Sequence, residues 1–392
     1  MTAGAPEVVM FLGNTDYGSI NAMTRAMADA FTQQGFLVTV IDTRIPGTTV
    51  AMEAAVGRGI SFCCSMAGIG LPSGPNIEAF FTHHDIASFA YFLDPYPNVQ
   101  DRAGTGMPRF AMSFTSDNQT RFLPARLNST RPVLCLPHAA SERPVTAWSG
   151  KDLDVVLVAS AHSDPETHLA KVRSEHGEQV WRTCHDIIER HDALSAAGCE
   201  LPFEDLIIDV LLPGRQALGL NMLISYFLTV DDVLRNRAKI LAARSLGPGA
   251  VVVGRGWDSV GLAKGVTVLS EIDVAETVKL YDRARIVLNA QPPYYHSHER
   301  IFMAAAGGSV PLTTPSRPLA ERVGGRFWAE FPATGPALTE TITALLADDA
   351  GLEAMGAAAH AAWRDGNTWA HRARAVTDLM HRTFGCRVPG RP

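Results

Sequence analysis

The stretch Pro-Pro-Tyr-Tyr-His-Ser-His-Glu-Arg, residues 292–300, sets two tyrosines, two histidines, a serine, a carboxylate and a guanidinium side by side. The apolar run ARIVLNAQ (284–291) precedes it, and a short apolar segment ending in Gly307 and Gly308 follows it. That order reads as buried strand, loop and helix. Ser297 is placed to cap a helix that starts at His298. A helix start offers unpaired backbone N–H groups and the positive end of a dipole, and Arg300 and His298 add side-chain donors there. The chemistry this constellation supports is anion binding. Tyr294 and Tyr295 offer rings for stacking or for walling off water. Pro292 and Pro293 limit the freedom of the loop, so less entropy is lost on binding. Gly307 and Gly308 end the helix and permit close backbone packing. The same residues also fit a plain surface loop in which Ser297 caps the helix and Arg300 pairs with Glu299.

Other strand ends carry polar groups as well. In GRGW (254–257) the glycine Gly254 lets a backbone approach a ligand and Arg255 supplies charge; a simple turn is the plainer alternative. The loop GNTDYGSIN (13–21) follows the first apolar run and brings Gly13, Asn14, Asp16, Tyr17, Gly18 and Ser19 to a helix start. It lacks the GxGxxG spacing of a dinucleotide site, and Ser19 serves equally as a helix cap. His138, Asp94 and Asp117 each follow a strand-like run, where an imidazole or carboxylate is placed to act as a general base; turn formation and capping are the alternatives. The histidines at 83, 84, 162, 168, 176, 185 and 191 show no HxxxH or HExxH spacing, so no metal centre is expected.

These groups must be held by a framework. The 392 residues exceed one ordinary core and suffice for two domains. Composition is that of a globular protein, 46% apolar and 19% charged, and the net charge of −6 argues against nucleic acid or an anionic membrane as partner. No apolar run is long enough for a transmembrane helix. The first residues lack a basic n-region, so no signal peptide is expected and a cytoplasmic location follows. The six cysteines have no CxxC spacing and read as free thiols. Strand, glycine-bearing loop, helix and strand over residues 7–43 make a βαβ unit, and further apolar runs extend a parallel sheet. We expect an α/β fold of two Rossmann-like, doubly wound domains with ligands in a cleft at the strand ends. The boundaries read as 1–163 for the first domain and 164–246 for a helical connector with breaks near Gly198, Pro202 and Pro213-Gly214. A second domain follows at 247–368, and a last helix within 369–392 packs back on the N-terminal half.

Three segments carry a family resemblance: RNRAKILAARSLGPGAVVVGRGW, LYDRARIVLNAQPPYYHSHERIFMAAAGGSVPLTT and GNTWAHRARAVTDLM. Their order and spacing over most of residues 236–380 resemble the C-terminal domain of GT-B glycosyltransferases of the CgeB-like (spore-maturation) group. The resemblance implies transfer of a sugar from a nucleotide-sugar donor to an acceptor (a glycan, a small molecule or a protein), with no cofactor and no metal required. It implies that Gly254, Arg255, Tyr294, Tyr295, Ser297, His298, Glu299, Arg300, Gly307 and Gly308 serve the donor. Gly13, Asn14, Asp16, Tyr17, Gly18 and Ser19 would serve the acceptor or the phosphate side. Where the group's pattern has a ribose-binding Glu, this chain has Met303, and Glu299, one helical turn earlier, is the carboxylate on a similar face. A binding protein without turnover and a nucleotide-sugar epimerase are the alternatives, and a homodimer stays open. With no metal-ligand spacing in the sequence, transferase activity is expected to persist in EDTA; loss of turnover with chelator and its return with manganese or magnesium would contradict this.

Overall fold

The computed structural model describes residues 5–71, 75–127, 129–162, 164–199, 202–212, 219–331 and 337–391. The side chain of Asp16 and the expected break at Pro213-Gly214 lie outside the described residues. The chain divides into two compact units, one formed by Met1–Glu142 with Asp365–Pro392 and the other by Arg143–Arg364.

The first unit alternates strand and helix: β1 (Glu7–Leu12), α1 (Ser19–Gln33), β2 (Leu37–Asp42), α2 (Thr48–Arg58), β3 (Ile60–Met66), α3 (Pro75–His83), β4 (Ser88–Tyr91), α4 (Tyr96–Ala103), β5 (Phe110–Phe114), α5 (Asp117–Leu127) and β6 (Val133–Cys135). The sheet order is β2-β1-β3-β4-β5-β6, parallel throughout. Strands β1, β4 and β5 are buried along their whole length, which is why they read as unbroken apolar runs. Because every strand runs the same way, the residues after β1, β4, β5 and β6 all emerge at one edge of the sheet. Gly13, Asp94, Asp117 and His138 follow those four strands.

The second unit begins with β7 (Leu153–Val158) and then runs through four helices, α6 (Pro165–His176), α7 (Glu178–Ala196), α8 (Phe203–Leu211) and α9 (Leu220–Arg244). Strand and helix then alternate: β8 (Ala250–Val253), β9 (Thr267–Leu269), α10 (Val274–Arg283), β10 (Ala284–Asn289), α11 (Glu299–Ala306), β11 (Val310–Thr313), α12 (Arg317–Arg322), β12 (Ala329–Glu330), α13 (Ala337–Ala347) and α14 (Asp349–Gly366). The sheet order is β12-β11-β10-β7-β8-β9, again parallel.

This placement of β7 corrects the expected boundaries. Residues 153–158 lie in the second sheet, with Val155 paired to Ala250 of β8 and to Ile286 of β10, rather than closing the first domain. The helices at 164–246 therefore are not a connector between domains. They are the crossover that joins the parallel neighbours β7 and β8. The physical reason is that a strand buried on both faces is an apolar run whichever sheet accepts it.

Helix α15 (Trp369–Phe384) belongs to the first unit. Trp369, Ala373, Val376 and Met380 join Met27 and Phe31 of α1 and Phe62 of β3 in one core. There Phe31, Phe36 and Phe62 meet edge to face at 5.6–5.9 Å, and the Trp369 ring meets Tyr91 at 6.0 Å. Arg372, on the same helix, is buried and donates to the carbonyls of Pro137 and His138, which ties α15 to the segment after β6. Trp369→Ala is expected to destabilise the protein by about 3–5 kcal/mol, the usual effect of emptying a buried tryptophan site. Denaturant unfolding followed by tryptophan-independent circular dichroism measures it, and a change below about 1 kcal/mol would mean that α15 is not integral to this core.

Candidate functional site

In a doubly wound sheet, ligands bind outside the carboxyl ends of the strands, where the chain reverses the side on which it adds them. In the second sheet that reversal lies between β7 and β10. The residues at this point are Ser160 after β7, Asn289 at the end of β10 and the loop that leads into α11.

The start of α11 is built differently from the expectation. The cap residue is His298, not Ser297, and the helix begins at Glu299; Ser297 is buried one residue earlier. The His298 ring makes a 2.8 Å contact from Nδ1 to Glu299 Oε2 and a 3.0 Å contact from Nε2 to Arg300 Nη1. Together they select the tautomer in which Nδ1–H donates to the carboxylate and Nε2 accepts from the guanidinium. The 3.4 Å contact of Nδ1 with the Arg300 N–H competes with the first and is longer. Burial, and then the Arg300 charge, push the imidazole down to about 4, so it is neutral near pH 7. Arg300 also reaches Asn289 Oδ1 at 3.4 Å and the Tyr281 hydroxyl. Asn289 is itself fixed, donating to Thr313 Oγ1 at 2.9 Å. A strand end thus positions the guanidinium at the helix start.

A second cation arrives from α9. Lys239 Nζ lies 3.4 Å from the Ser160 carbonyl. Burial, and then the neighbouring Arg235 and Arg300 charges, lower its ammonium to about 8. Among the described residues, neither Lys239 nor Arg300 has a carboxylate in ion-pair range. Arg235 lies one turn before Lys239 and has its guanidinium carbon 5.3 Å from the Tyr295 ring centroid and 3.7 Å from Asp231 Oδ2 at the guanidinium nitrogen. Positive charge from two elements and one helix start is therefore concentrated beside the switch point. It is offset there only in part, which is the electrostatic setting for a phosphate group.

The tyrosines have a different role from the stacking platform expected of them. Tyr294 and Tyr295 donate from their hydroxyls to Asp231 Oδ1 and Oδ2, each at 2.8 Å. The Tyr294 ring stacks on Phe203 at 4.2 Å, which commits that face. The two rings clamp the loop to α9 and leave Tyr295 beneath Arg235. Gly254 and Gly256 are needed by their own neighbours. An added Cβ would stand 2.2 Å from the Ala159 carbonyl oxygen at Gly254 and 2.2 Å from that of Ala161 at Gly256. Arg255 is exposed and paired with Glu271 at 2.5 Å. Gly307 and Gly308 lie at the far end of α11, where Gly308 takes a left-handed φ of 69°. Met303 is partly buried and packs against the apolar cluster that includes Val156, Val251, Tyr281 and Ala304, so its place on α11 is apolar.

In the first unit the loop after β1 lies at the corresponding switch point, between β1 and β3. Asn21 of α1 holds the Gly13 backbone by two hydrogen bonds, 3.1 Å to its N–H and 2.9 Å from its carbonyl. Asn14 and Tyr17 are exposed, and Tyr17 takes a left-handed φ of 59°. Gly18, also left-handed, is the cap of α1, and Ser19 is the first helical residue rather than the cap. The Asp16 side chain lies outside the described residues. Asp94, Asp117 and His138 follow adjacent strands at the same edge, with His138 buried and Asp117 opening α5.

Sequence reasoning missed Lys239, Arg235 and Asp231. The signal was present in DDVLRNRAK, where Asp231, Arg235 and Lys239 recur every four residues and so share one face of α9. Basic residues at that spacing on a helix ordinarily read as a solvated face, and β7 assigned to the wrong sheet hid the strand end they meet. Among the described residues no three His, Cys, Asp or Glu side chains gather as metal ligands, and no helix is long and apolar enough to cross a membrane.

Residues 235–378 match a family model described as glycosyl transferase-like. No curated protein matches the chain by sequence. Among solved structures, the chain is similar to the sucrose-phosphate synthase from Thermosynechococcus elongatus, with a TM-score of 0.55 and 12% identity over 97% of this chain and 100% of that one. It is similar to an alpha-glucosyltransferase in complex with UDP-glucose and DNA containing an abasic site, with a TM-score of 0.55 and 11% identity over 96% and 100% of the two chains. The T4 phage BGT in complex with its UDP-glucose substrate gives a TM-score of 0.52 at 11% identity over 96% and 98%. At such identities the likeness is one of fold, and the fold is GT-B, two Rossmann-like units each with a six-stranded parallel sheet.

The charge on Lys239 carries a pH signature. An anion favours the ammonium form, so binding takes up a proton near and above pH 8 and affinity falls as pH rises through that value. Calorimetric titration with a diphosphate diester, which does not itself titrate in this range, is expected to show the fall in wild type and a flat profile in Lys239→Arg. A flat wild-type profile would remove Lys239 from the anion site.

Proposed function

We propose that this protein is a glycosyltransferase that moves a sugar from a nucleoside-diphosphate sugar to an acceptor, with the donor diphosphate held at the start of α11. One observation carries the reading. Lys239 and Arg300, cations without a carboxylate partner among the described residues, meet a helix N-terminus at the switch point of the second sheet. The glycosyl transferase-like match covers these residues, and the GT-B fold supports the same class. The resemblance of the three motif segments to the CgeB-like group supports membership of that group as part of this reading.

In the reaction, the bond from the anomeric carbon to the diphosphate oxygen breaks and the leaving group keeps the electron pair. The growing negative charge falls where Arg300, Lys239 and the first N–H groups of α11 stand, and preorganised donors there stabilise the transition state more than the ground state. Glu299, on the first turn of α11 and in contact with His298, is the carboxylate nearest in the chain to Met303 that would meet the ribose hydroxyls in its place. The acceptor, a glycan, a small molecule or a protein, is taken by the first unit near the loop after β1. Its hydroxyl proton would pass to a base for which Asp94, Asp117 and His138 are the candidates. No cofactor or metal is required by this scheme, since the cations of the site are side chains. Met303 favours a second reading, a binding protein of the same fold without turnover; slow release of nucleoside diphosphate from the correct donor distinguishes the two.

A thermal-shift panel of UDP, GDP, TDP, ADP and CMP identifies the base, because a ligand that binds only the folded chain raises its midpoint. With that donor, Arg300→Ala is expected to lose a charge-assisted contact worth about 1.5–3 kcal/mol. The loss should fall on kcat as well as on donor affinity, because the contact strengthens as the leaving group gains charge. Arg300→Lys recovers only part, since lysine lacks the planar fork. A folded Arg300→Ala protein with unchanged donor affinity and unchanged turnover would refute the phosphate role.

A further inference from the structure

Among the described residues the first sheet ends in β2 and β6 and the second in β9 and β12. Three of these edges are kept short, β6 and β9 at three residues and β12 at two, which is a common way of denying a free edge to another chain. β2 is six residues long, Leu-Val-Thr-Val-Ile-Asp, and has no such guard. It carries no lysine, no proline and no bulge, and its register against β1 is unbroken from Leu37 to Asp42. Its one charge, on Asp42, is neutralised by Arg44 at 2.6 Å. Apolar side chains stand exposed on the strand and just after it: Leu37 is 47% accessible, Val40 37%, Ile45 60% and Val50 67%. A long, regular and apolar edge of this kind is a template for a further strand.

The bonds on the inner side of β2 identify the groups on its outer side. Leu37 N–H donates to the Pro6 carbonyl and Thr43 N–H to the Leu12 carbonyl, so residues 37, 39, 41 and 43 turn their backbone groups to β1. Val38, Val40 and Asp42 turn theirs outward. No described residue bonds their three N–H groups or the carbonyls of Val38 and Val40, and the Asp42 carbonyl accepts from Ile45 N–H at 3.4 Å. We infer that β2 is the interface of a homodimer, in which two copies of this strand pair antiparallel about a two-fold axis at Val40 and join two six-stranded sheets into one. The strand matches itself. Its outward residues are symmetric about Val40, so Val40 meets the partner's Val40 and Val38 meets the partner's Asp42, and the outward groups face one another in register. Charge selects this register, because centring the pair on Asp42 would set two carboxylates face to face. The four β-branched residues Val38–Ile41 form the middle of the ribbon, where such side chains pack well across strands. A two-fold pairing closes on itself and so stops at two copies. The inference is independent of the transferase reading, since none of the residues it uses is at the anion site.

Sedimentation velocity on the full chain from about 1 to 100 μM, a range that covers the weak end of ordinary interfaces, is expected to show the mass rise from 42.2 kDa toward twice that value. Hydrogen exchange read by mass spectrometry should slow over residues 37–43 as the dimer fills. Val40→Pro removes an outward N–H that β1 does not use, and Val40→Lys sets two ammonium groups at the axis. Both variants are expected to remain monomeric throughout the range, with circular dichroism and an unfolding midpoint confirming that they are folded. Val40→Lys keeps every N–H and decides alone if the proline is not accommodated. Val268→Lys, on the edge strand β9 of the second sheet, should leave the dimer intact. A wild-type chain that is monomeric throughout the range would overturn the inference and leave the edge to a different partner. So would a dimer that survives in folded Val40→Lys, or exchange over 37–43 that does not change with concentration.

Discussion

Strand β7 is paired on both sides, with β8 at Val155–Val158 and with β10 at Leu153–Val156, and the second unit is organised around that double pairing. Because the chain leaves β7 first toward β8 and only later adds β10 on its other flank, the two strand ends part at their carboxyl edge. The backbone of residues 159–161 fills one lip of the gap so closely that Gly254 and Gly256 have no room for a Cβ. Asn289 holds the other lip and carries Arg300 with it. The long crossover that parallel pairing demands supplies α9, and α9 supplies Lys239. Remove the pairing of β7 and the cations have no common address.

The unliganded arrangement is electrostatically unfavourable on its own terms. Lowering the Lys239 ammonium from 10.5 to about 8 corresponds to roughly 3 kcal/mol of stability forgone at neutral pH. A sequence selected for stability alone would place a carboxylate beside it. Asp231 is near enough to do so, yet both of its oxygens are occupied by the tyrosine hydroxyls, and its remaining attraction reaches Arg235 at 3.7 Å. The tyrosines thus divert the available counter-charge from the switch point while fastening the loop. Local disagreement of this kind with the demands of stability marks a place kept for a ligand.

Much of this was legible in advance, and the reasons are physical. Parallel strands buried on both faces announce themselves as apolar runs, so β1, β5, β8 and β10 and the α/β rhythm could be read directly. The strand–loop–helix order at 284–308 was equally plain, and Arg300 at the helix start followed from it. What could not be read depends on partners distant in the chain. The apolar run at 153–158 carries no mark of which sheet it joins. Tyr294 and Tyr295 looked like open rings because Asp231 lies more than sixty residues away. Ser297 and His298 are adjacent and both able to cap; the choice fell to His298 because Glu299 and Arg300 hold its ring from either side. The glycines of GRGW answered to the neighbouring backbone, which no local pattern reveals.

The membership of α15 in the first core also orders events in time. A ribosome delivers the chain from its N-terminus, and domains generally fold as they emerge. The second unit is one continuous segment and is complete once residue 364 has appeared. The first unit, although made first, still lacks Trp369, Ala373, Val376 and Met380, the residues that cover Met27 and Phe31. Its apolar face on α1 therefore stays uncovered until α15 has emerged, after the whole of the second unit, a window in which a chaperone or a second nascent chain can reach it. The unit begun first is finished after the second, and Trp369, Ala373, Val376 and Met380 govern whether Met27 and Phe31 ever settle.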